Sequence, residues 1–362
     1  MSPPAAAAPR PRPFEEESVA PIRVAVVDDS AIARAVLSRM IASQPGLEVV
    51  AQAKDAEEAL RVLSAVRTDV ILLDVEMPGA SGIEALPDII AAGRGAKVLV
   101  VSCLCESGAE AAVAALARGA ADTLPKPGVE NFGGRFSAVL AERIRRLARP
   151  EPPAPPAARP PFRLRPMPEG RLGCLAVGAS TGGLHAITDY LKALPPRIGA
   201  PLLVTQHLPG LFMPFFARQI ETAAGRPTRI AEDGLVLAAD EVVLAPGDAH
   251  IGLEQRGSRV VVALDRAAAA SGCLPSVDVM LGAVASVYGR SGLGVVMSGM
   301  GRDGLAGSGA LAERGGAVIV QDRDSSAVWG MPRGIAEAGL ASAVLPPAGL
   351  ARRTALRLGS RG

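Results

Sequence analysis

The segment LGCLAVGASTGG, Leu172–Gly183, decides the fold of this chain. It opens as an apolar run and closes in a turn of small residues around Ser180 and Thr181. It is followed by HAITDYLKAL, where apolar residues recur at helical spacing. That order predicts a strand, a tight turn and a helix. Within the turn, Gly178-Ala179-Ser180-Thr181-Gly182 spells G-x-S-x-G, a pattern that holds a serine on a sharp strand-to-helix turn. A serine so placed sits at a helix N-terminus, where free N–H groups and the helix dipole favour developing negative charge. The same residues also suit a plain glycine turn or a phosphate-cradling loop, so the role of Ser180 depends on what other segments bring to it.

Further along, Pro201–Thr205 (PLLVT) runs into Gln206-His207. Gly294–Ser298 (GVVMS) runs into Gly299-Met300-Gly301-Arg302-Asp303-Gly304, and Ala317–Gln321 (AVIVQ) is a later strand. Glu241–Ala245, His250–Glu254 and Val260–Leu264 read as short hairpin strands separated by turn residues. Strands alternating with helices predict a parallel sheet, in which functional residues gather at the carboxyl ends of the strands. Ser180, His207 and Asp303 each follow such an end. A nucleophilic serine needs a base within hydrogen-bond reach, and the base needs a third group to fix its tautomer. The glycines around Ser180 and Asp303 leave N–H donors for an oxyanion. His185 and His250 are rival bases: His185 is expected to point outward from the following helix, and His250 opens a hairpin strand from which it would contact substrate. Asp303 equally fits a cap for a helix at 304–313, and Met300 equally fits packing.

The N-terminal half repeats the alternation. Ile22–Val27 leads into Asp28, Asp29 and Ser30, the last an N-cap for a helix at 31–42. Leu47–Ala53 is a second strand, and Asp55 caps a helix at 56–66. Asp69–Leu73 ends at Asp74, Lys97–Val101 ends at Ser102, and a strand near 120–124 precedes Lys126-Pro127. Carboxylates converging at strand ends repel unless a cation lies between them, and oxygen-only ligands suit Mg²⁺. A hydroxyl and an ammonium beside them would hold phosphoryl oxygens. Pro87 falls where the helix after the third strand belongs, which predicts a late start or a kink. A helix at 137–148 and a proline-dense run to residue 170 read as a semi-rigid spacer.

Composition bounds the answer. A chain of 362 residues supports more than one core, and a net charge of +2 argues against nucleic acid as a partner. The four cysteines form no C-x-x-C pair, and with only three histidines a zinc site has little to build on; buried reduced thiols in a cytoplasmic protein are the plain reading. Residues 1–20 carry no long apolar core, so neither a signal peptide nor membrane insertion is expected there, and they read as a disordered extension.

Two resemblances join these readings. Residues 22–127 resemble a response-regulator receiver domain: Asp28 and Asp29 match its acidic pair, Asp74 in LLDVEMP its phospho-accepting aspartate, Ser102 its switch hydroxyl, and Lys126-Pro127 its lysine-proline pair. Residues 172–345 resemble the catalytic domain of the chemotaxis protein-glutamate methylesterases, the CheB family, through GASTGG (178–183), TQHLPG (205–210), APGDAH (245–250), PSVDVM (275–280), SGMGRDG (298–304) and AVWGMPRG (327–334). The resemblance implies an α/β protein: a flavodoxin-like, doubly wound receiver at 21–127, a helix and linker at 128–170, and a Rossmann-like catalytic domain at 171–362. It implies Ser180 as nucleophile, His207 as base, Asp303 as orienting acid, and Thr181 and Met300 lining the site. It further implies Mg²⁺ at Asp28, Asp29 and Asp74, chemoreceptor glutamate methyl esters as substrate, glutamine deamidation as a second activity, and a chemotaxis histidine kinase as phosphodonor. The receiver is expected to block the site until Asp74 is phosphorylated. The rivals are a receiver joined to a nucleotide-binding module, and a transcriptional output domain; the latter would need a basic helix-turn-helix, and none is visible after residue 170.

Overall fold

Strands such as Val70–Leu73 and Cys174–Ala179 are buried along their whole length, with no exposed alternate face. Such strands need helices on both sides, which is the condition for a parallel sheet. A computed structural model of the chain describes residues 20–77, 82–103, 105–126, 134–148 and 162–358. All but the last residue of the extension expected at 1–20 lies outside them, as do Pro127 and most of the proline-dense run.

The first sheet contains β1 (Ile22–Val27), β2 (Leu47–Ala53), β3 (Val70–Leu73), β4 (Lys97–Ser102) and β5 (Asp122–Pro125), ordered β2-β1-β3-β4-β5 and parallel throughout. Its helices are α1 (Ala31–Ala42), α2 (Ala56–Ala65), α3 (Gly82–Ala92), α4 (Glu106–Ala117) and α5 (Gly134–Ala148). Ser30 and Asp55 cap α1 and α2 through Ala33 N–H and Glu58 N–H, as read from the sequence. Pro87 lies inside α3, which runs past it without a late start. Proline cannot pair with the carbonyl four residues back, and that carbonyl, of Ile83, accepts instead from Arg118 Nη1 at 3.0 Å. Helix α5 is longer than expected and buries Leu140, Ile144 and Leu147 among β1, β3 and β4 residues, so it belongs to this core and not to a spacer.

The second sheet holds β6 (Cys174–Ala179), β7 (Leu202–Gln206), β8 (Thr228–Ile230), β9 (Val242–Leu244), β12 (Gly292–Val296), β13 (Ala317–Gln321) and β14 (Ala341–Leu345). Its order is β14-β13-β12-β6-β7-β9-β8. The chain winds one way from β6 and the other way from β12, so the switch point lies between these two strands. Residues 242–244, read as part of a hairpin, form a parallel strand of this sheet. Strands β10 (His250–Arg256) and β11 (Arg259–Asp265) form an antiparallel pair. Helices α6 (Gly183–Ala193), α7 (Met213–Ala224), α8 (Val277–Tyr288), α9 (Leu305–Glu313), α10 (Met331–Glu337) and α11 (Pro347–Ala355) cover the faces. Of the cysteines, Cys174 alone is fully buried; Cys103 and Cys105 are exposed, because both lie beyond the end of β4, and Cys273 is half-buried. Among the described residues no helix is long and apolar enough to cross a membrane.

Helix α8 approaches β6 at Gly178, where an added Cβ would stand 2.3 Å from Val277 Cγ1. Gly178→Ala is therefore expected to cost about 1–3 kcal/mol through overpacking. Adding Val277→Ala should recover part of that loss, and denaturant unfolding of the single and double variants would read the coupling directly.

Candidate active site

Ser180 leaves β6 at its carboxyl end and turns at once into α6. Its N–H donates to Ser298 O at 3.0 Å, and its carbonyl accepts from Gly183 N–H and from Gln206 Nε2, each at 2.8 Å. Gly182 completes the turn at φ +74°, in the left-handed region, with Ala327 Cβ only 2.4 Å from where its own Cβ would be. The backbone around the half-buried serine is thus fixed on both sides of the hydroxyl.

The register of β6 on β7 pairs Ala179 with Gln206, so Ser180 and His207 leave adjacent strands at the same level. His207 N–H donates to Ala179 O at 3.2 Å, and its ring Nε2 lies 2.8 Å from Asp303 Oδ2. In this structure Ser180 Oγ makes no hydrogen bond to the ring. Asp303 lies beyond β12 and is buried, and it does not cap its own helix, whose N-cap is Gly304. Instead it accepts from the start of α8: from Ser276 Oγ at 2.7 Å, Val277 N–H at 2.7 Å and Asp278 N–H at 3.1 Å. A carboxylate at a helix N-terminus meets both free donors and the positive end of the dipole.

These contacts set the protonation states. Burial alone would raise the Asp303 carboxyl, but the hydrogen bonds from His207, Ser276 and Val277 outweigh it and hold the group well below the usual carboxylate range. Burial alone would lower His207, but its hydrogen bond to Asp303 prevails and the imidazole is pushed up to about 9. The rival histidines are otherwise engaged. His185 is exposed, 3.5 Å from Asp189. His250 is buried and does not face an open site: its Nε2 donates to Ala267 O and its Nδ1 accepts from Ser276 N–H, both at 2.9 Å. Sequence reading missed Ser276, although its position as N-cap before an apolar helix was a signal for it.

The first sheet has its own cluster. One carboxylate oxygen from each of Asp28, Asp29 and Asp74 lies within 4.8 Å of the others. Lys126 Nζ reaches Asp28 Oδ2 at 2.8 Å and Asp74 Oδ2 at 2.6 Å. Burial raises the Asp74 carboxyl despite the opposing pull of Lys126. Ser102 Oγ is buried with no hydrogen-bond partner among the described residues. An all-oxygen donor set with an orphaned hydroxyl nearby fits a hard divalent cation and a phosphoryl group.

The two sites meet across one interface. Ala121 O accepts from Gly182 N–H, and Asp122 Oδ2 accepts from Thr181 Oγ1, both at 2.8 Å. Arg143 of α5 pairs with the same Asp122 oxygen, and Arg218 of α7 bonds Glu110 of α4 at 3.0 Å. Met300 and Val328 pack against the cluster that holds Leu124, Leu140 and Ile144. Thr181 and Met300, expected to line the site, therefore face the first sheet's outer elements. Asp122 and Arg143 were missed; a buried aspartate in an otherwise apolar edge strand is the signal that marked the former.

The CheB methylesterase family profile matches residues 175–354, and the response regulator receiver domain profile matches residues 24–131. The chain is 37% identical to protein-glutamate methylesterase/protein-glutamine glutaminase 1 of Paramagnetospirillum magneticum over 354 residues, covering 90% of this chain and 93% of that one. It is 41% identical to protein-glutamate methylesterase/protein-glutamine glutaminase 3 of Anaeromyxobacter dehalogenans over 348 residues, covering 93% and 99%. A crystal structure of the Thermotoga maritima CheB methylesterase catalytic domain is 32% identical, covers 51% of this chain and 97% of that one, and superposes with a TM-score of 0.49.

The His207–Asp303 pair makes a pH-dependent contribution to the fold. A histidine raised from 6.5 to about 9 stabilises the folded chain fully below pH 6.5 and loses that contribution as pH rises through about 9. Ring NMR should find the His207 midpoint near 9. Asp303→Asn should lower that midpoint, because the largest influence opposing burial is then gone.

Proposed function

This chain belongs to the CheB methylesterase family, and we propose that it hydrolyses glutamate methyl esters on chemoreceptors, with Ser180, His207 and Asp303 as its catalytic residues. The observation that carries the reading is the His207–Asp303 pair, at 2.8 Å, held beside a serine on a strand-to-helix turn. Nε2 of His207 is committed to Asp303, so in the neutral ring, the form that acts as base and that gains population as pH rises toward about 9, Nδ1 is the nitrogen that takes the serine proton. Ser180 Oγ attacks the ester carbonyl, and the imidazolium returns its proton to the departing methoxide, releasing methanol. Water then adds to the acyl-enzyme with His207 again as base, freeing the glutamate carboxylate and regenerating the serine. The N–H groups of Thr181 and Met300 make no hydrogen bond among the described residues and supply the oxyanion donors. A glutamine side chain takes the same route, with ammonia leaving in place of methanol.

The receiver half regulates this chemistry. Asp28, Asp29 and Asp74 would hold Mg²⁺, which supplies charge neutralisation for phosphoryl transfer from a chemotaxis histidine kinase to Asp74. Lys126 and the unpartnered Ser102 hydroxyl bind the phosphoryl oxygens. Ser102 ends β4, directly before the loop into α4, so engaging it moves the elements that cover Thr181 and Gly182. The substrate sites on receptor cytoplasmic helices put the protein in the cytoplasm.

Methanol release from methylated receptor membranes tests both halves. Ser180→Ala should reduce turnover by at least about 10⁴-fold, and persistent turnover would refute the nucleophile. Asp122→Ala, which frees Thr181, should raise the unphosphorylated rate several-fold, on the order of the 5–150-fold range of coupled sites. Asp74→Asn should abolish stimulation by a phosphoryl donor while leaving the basal rate in place.

A further inference from the structure

The proposed hydrolysis leaves one donor beside the catalytic pair without a task, the thiol of Cys273. We propose that Cys273, His207 and Asp303 form an inhibitory site for Zn²⁺. One donor atom from each of the three lies within 4.8 Å of the other two, and Cys273 is half-buried beside the buried carboxylate.

Thiolate, imidazole and carboxylate together select zinc over Mg²⁺ or Ca²⁺, which take oxygen donors. Zinc–ligand bonds of about 2.0–2.3 Å require donor separations of about 3.2–3.7 Å in a tetrahedral site. The His207–Asp303 separation of 2.8 Å has to open slightly to meet that geometry. Charge favours the ion: a thiolate and a carboxylate balance Zn²⁺ in a half-buried pocket that would otherwise carry an uncompensated cation. Asp303 is also braced as metal-bound carboxylates commonly are, by Ser276 and by the N–H groups that open α8. Three protein ligands leave a fourth position for water.

The consequence for catalysis follows from proton bookkeeping and rests on the hydrolase reading; the binding itself does not. Zinc displaces the thiol proton and takes Nε2 of His207, whose one proton moves from Nε2 to Nδ1. The ligated ring is then a neutral imidazole protonated on Nδ1. That nitrogen then has no lone pair to accept the proton of Ser180 Oγ–H, so turnover stops until the ion leaves.

The full-length chain would be loaded with Co²⁺ as a spectroscopic stand-in and with Zn²⁺ for inhibition, with Mg²⁺ in excess to occupy the oxygen-only cluster. Ser180→Ala should still bind one Co²⁺ with a thiolate charge-transfer band, because Ser180 is not a ligand. Cys273→Ser should lose that band, and its zinc affinity should fall at least about 100-fold. Wild-type ester hydrolysis should be lost at stoichiometric zinc and restored by chelation, while Cys273→Ser, measured against its own zinc-free rate, resists the same zinc. A band that persists in Cys273→Ser, or equal zinc inhibition of both proteins, overturns the site. If Cys273→Ser is poorly folded, the absence of a thiolate band in Ser180→Ala overturns it alone. An active wild type that zinc leaves untouched defeats this inference only; a metal-free wild type without esterase activity defeats the hydrolase reading and leaves the binding result intact.

Discussion

The buried charge of Asp303 is the constraint on which the second domain's site depends. A lone carboxylate in that position would be expelled or protonated. It stays ionised because four donors converge on its two oxygens, one from His207 and three from the first turn of α8. The arrangement works only if β12, β7 and α8 hold their places together. The parallel register sets the level at which β7 and β12 end, and the missing side chain at Gly178 lets α8 come close enough to deliver its donors. One buried charge therefore couples elements that are up to 96 residues apart in sequence.

The same economy governs the interface between the halves. Thr181 follows Ser180 directly, and its hydroxyl is bound to Asp122 of β5; Gly182 gives its N–H to the neighbouring carbonyl of Ala121. The receiver thus engages the serine's own turn and not a distant surface. Access to the hydroxyl and docking of the receiver compete for one short stretch of backbone. In the first sheet, Ser102 lies at the end of β4 with its hydroxyl unsatisfied, beside the Asp74–Lys126 pair. A group that satisfies it acts at the strand next to β5, so the two events share a physical route.

Much of this was legible in the sequence for identifiable reasons. Parallel strands read as uninterrupted apolar runs, and the polar residue at the end of each is conspicuous, which is how Asp28, Asp74, Ser102, Ser180, His207 and Asp303 came forward. What was lost depended on packing partners. Residues 242–244 had the composition of a hairpin strand, and only the neighbouring β7 made them part of the main sheet. Pro87 looked like a helix breaker because the guanidinium that takes up the freed carbonyl is 35 residues away along the chain. His250 was expected to contact substrate from the start of its hairpin strand, and its burial against Ser276 follows from how the hairpin folds onto α8. Asp122 and Arg143 belong to an interface between two cores; the aspartate in a buried edge strand was a local signal for the former, and Arg143, one of several arginines on its helix, had none.

The link between Gly182 and Ala121 is made by main-chain atoms on both sides. Proline at position 182 aside, no replacement of either side chain can delete that donor or that acceptor, so genetic drift can distort this clasp without unfastening its chemistry. Adjustable tightness must then reside in the neighbouring Thr181–Asp122–Arg143 triplet, whose members can be exchanged one at a time. A lineage wanting a leakier or a quieter enzyme has those three codons to work with, over a floor of restraint that mutation cannot readily remove.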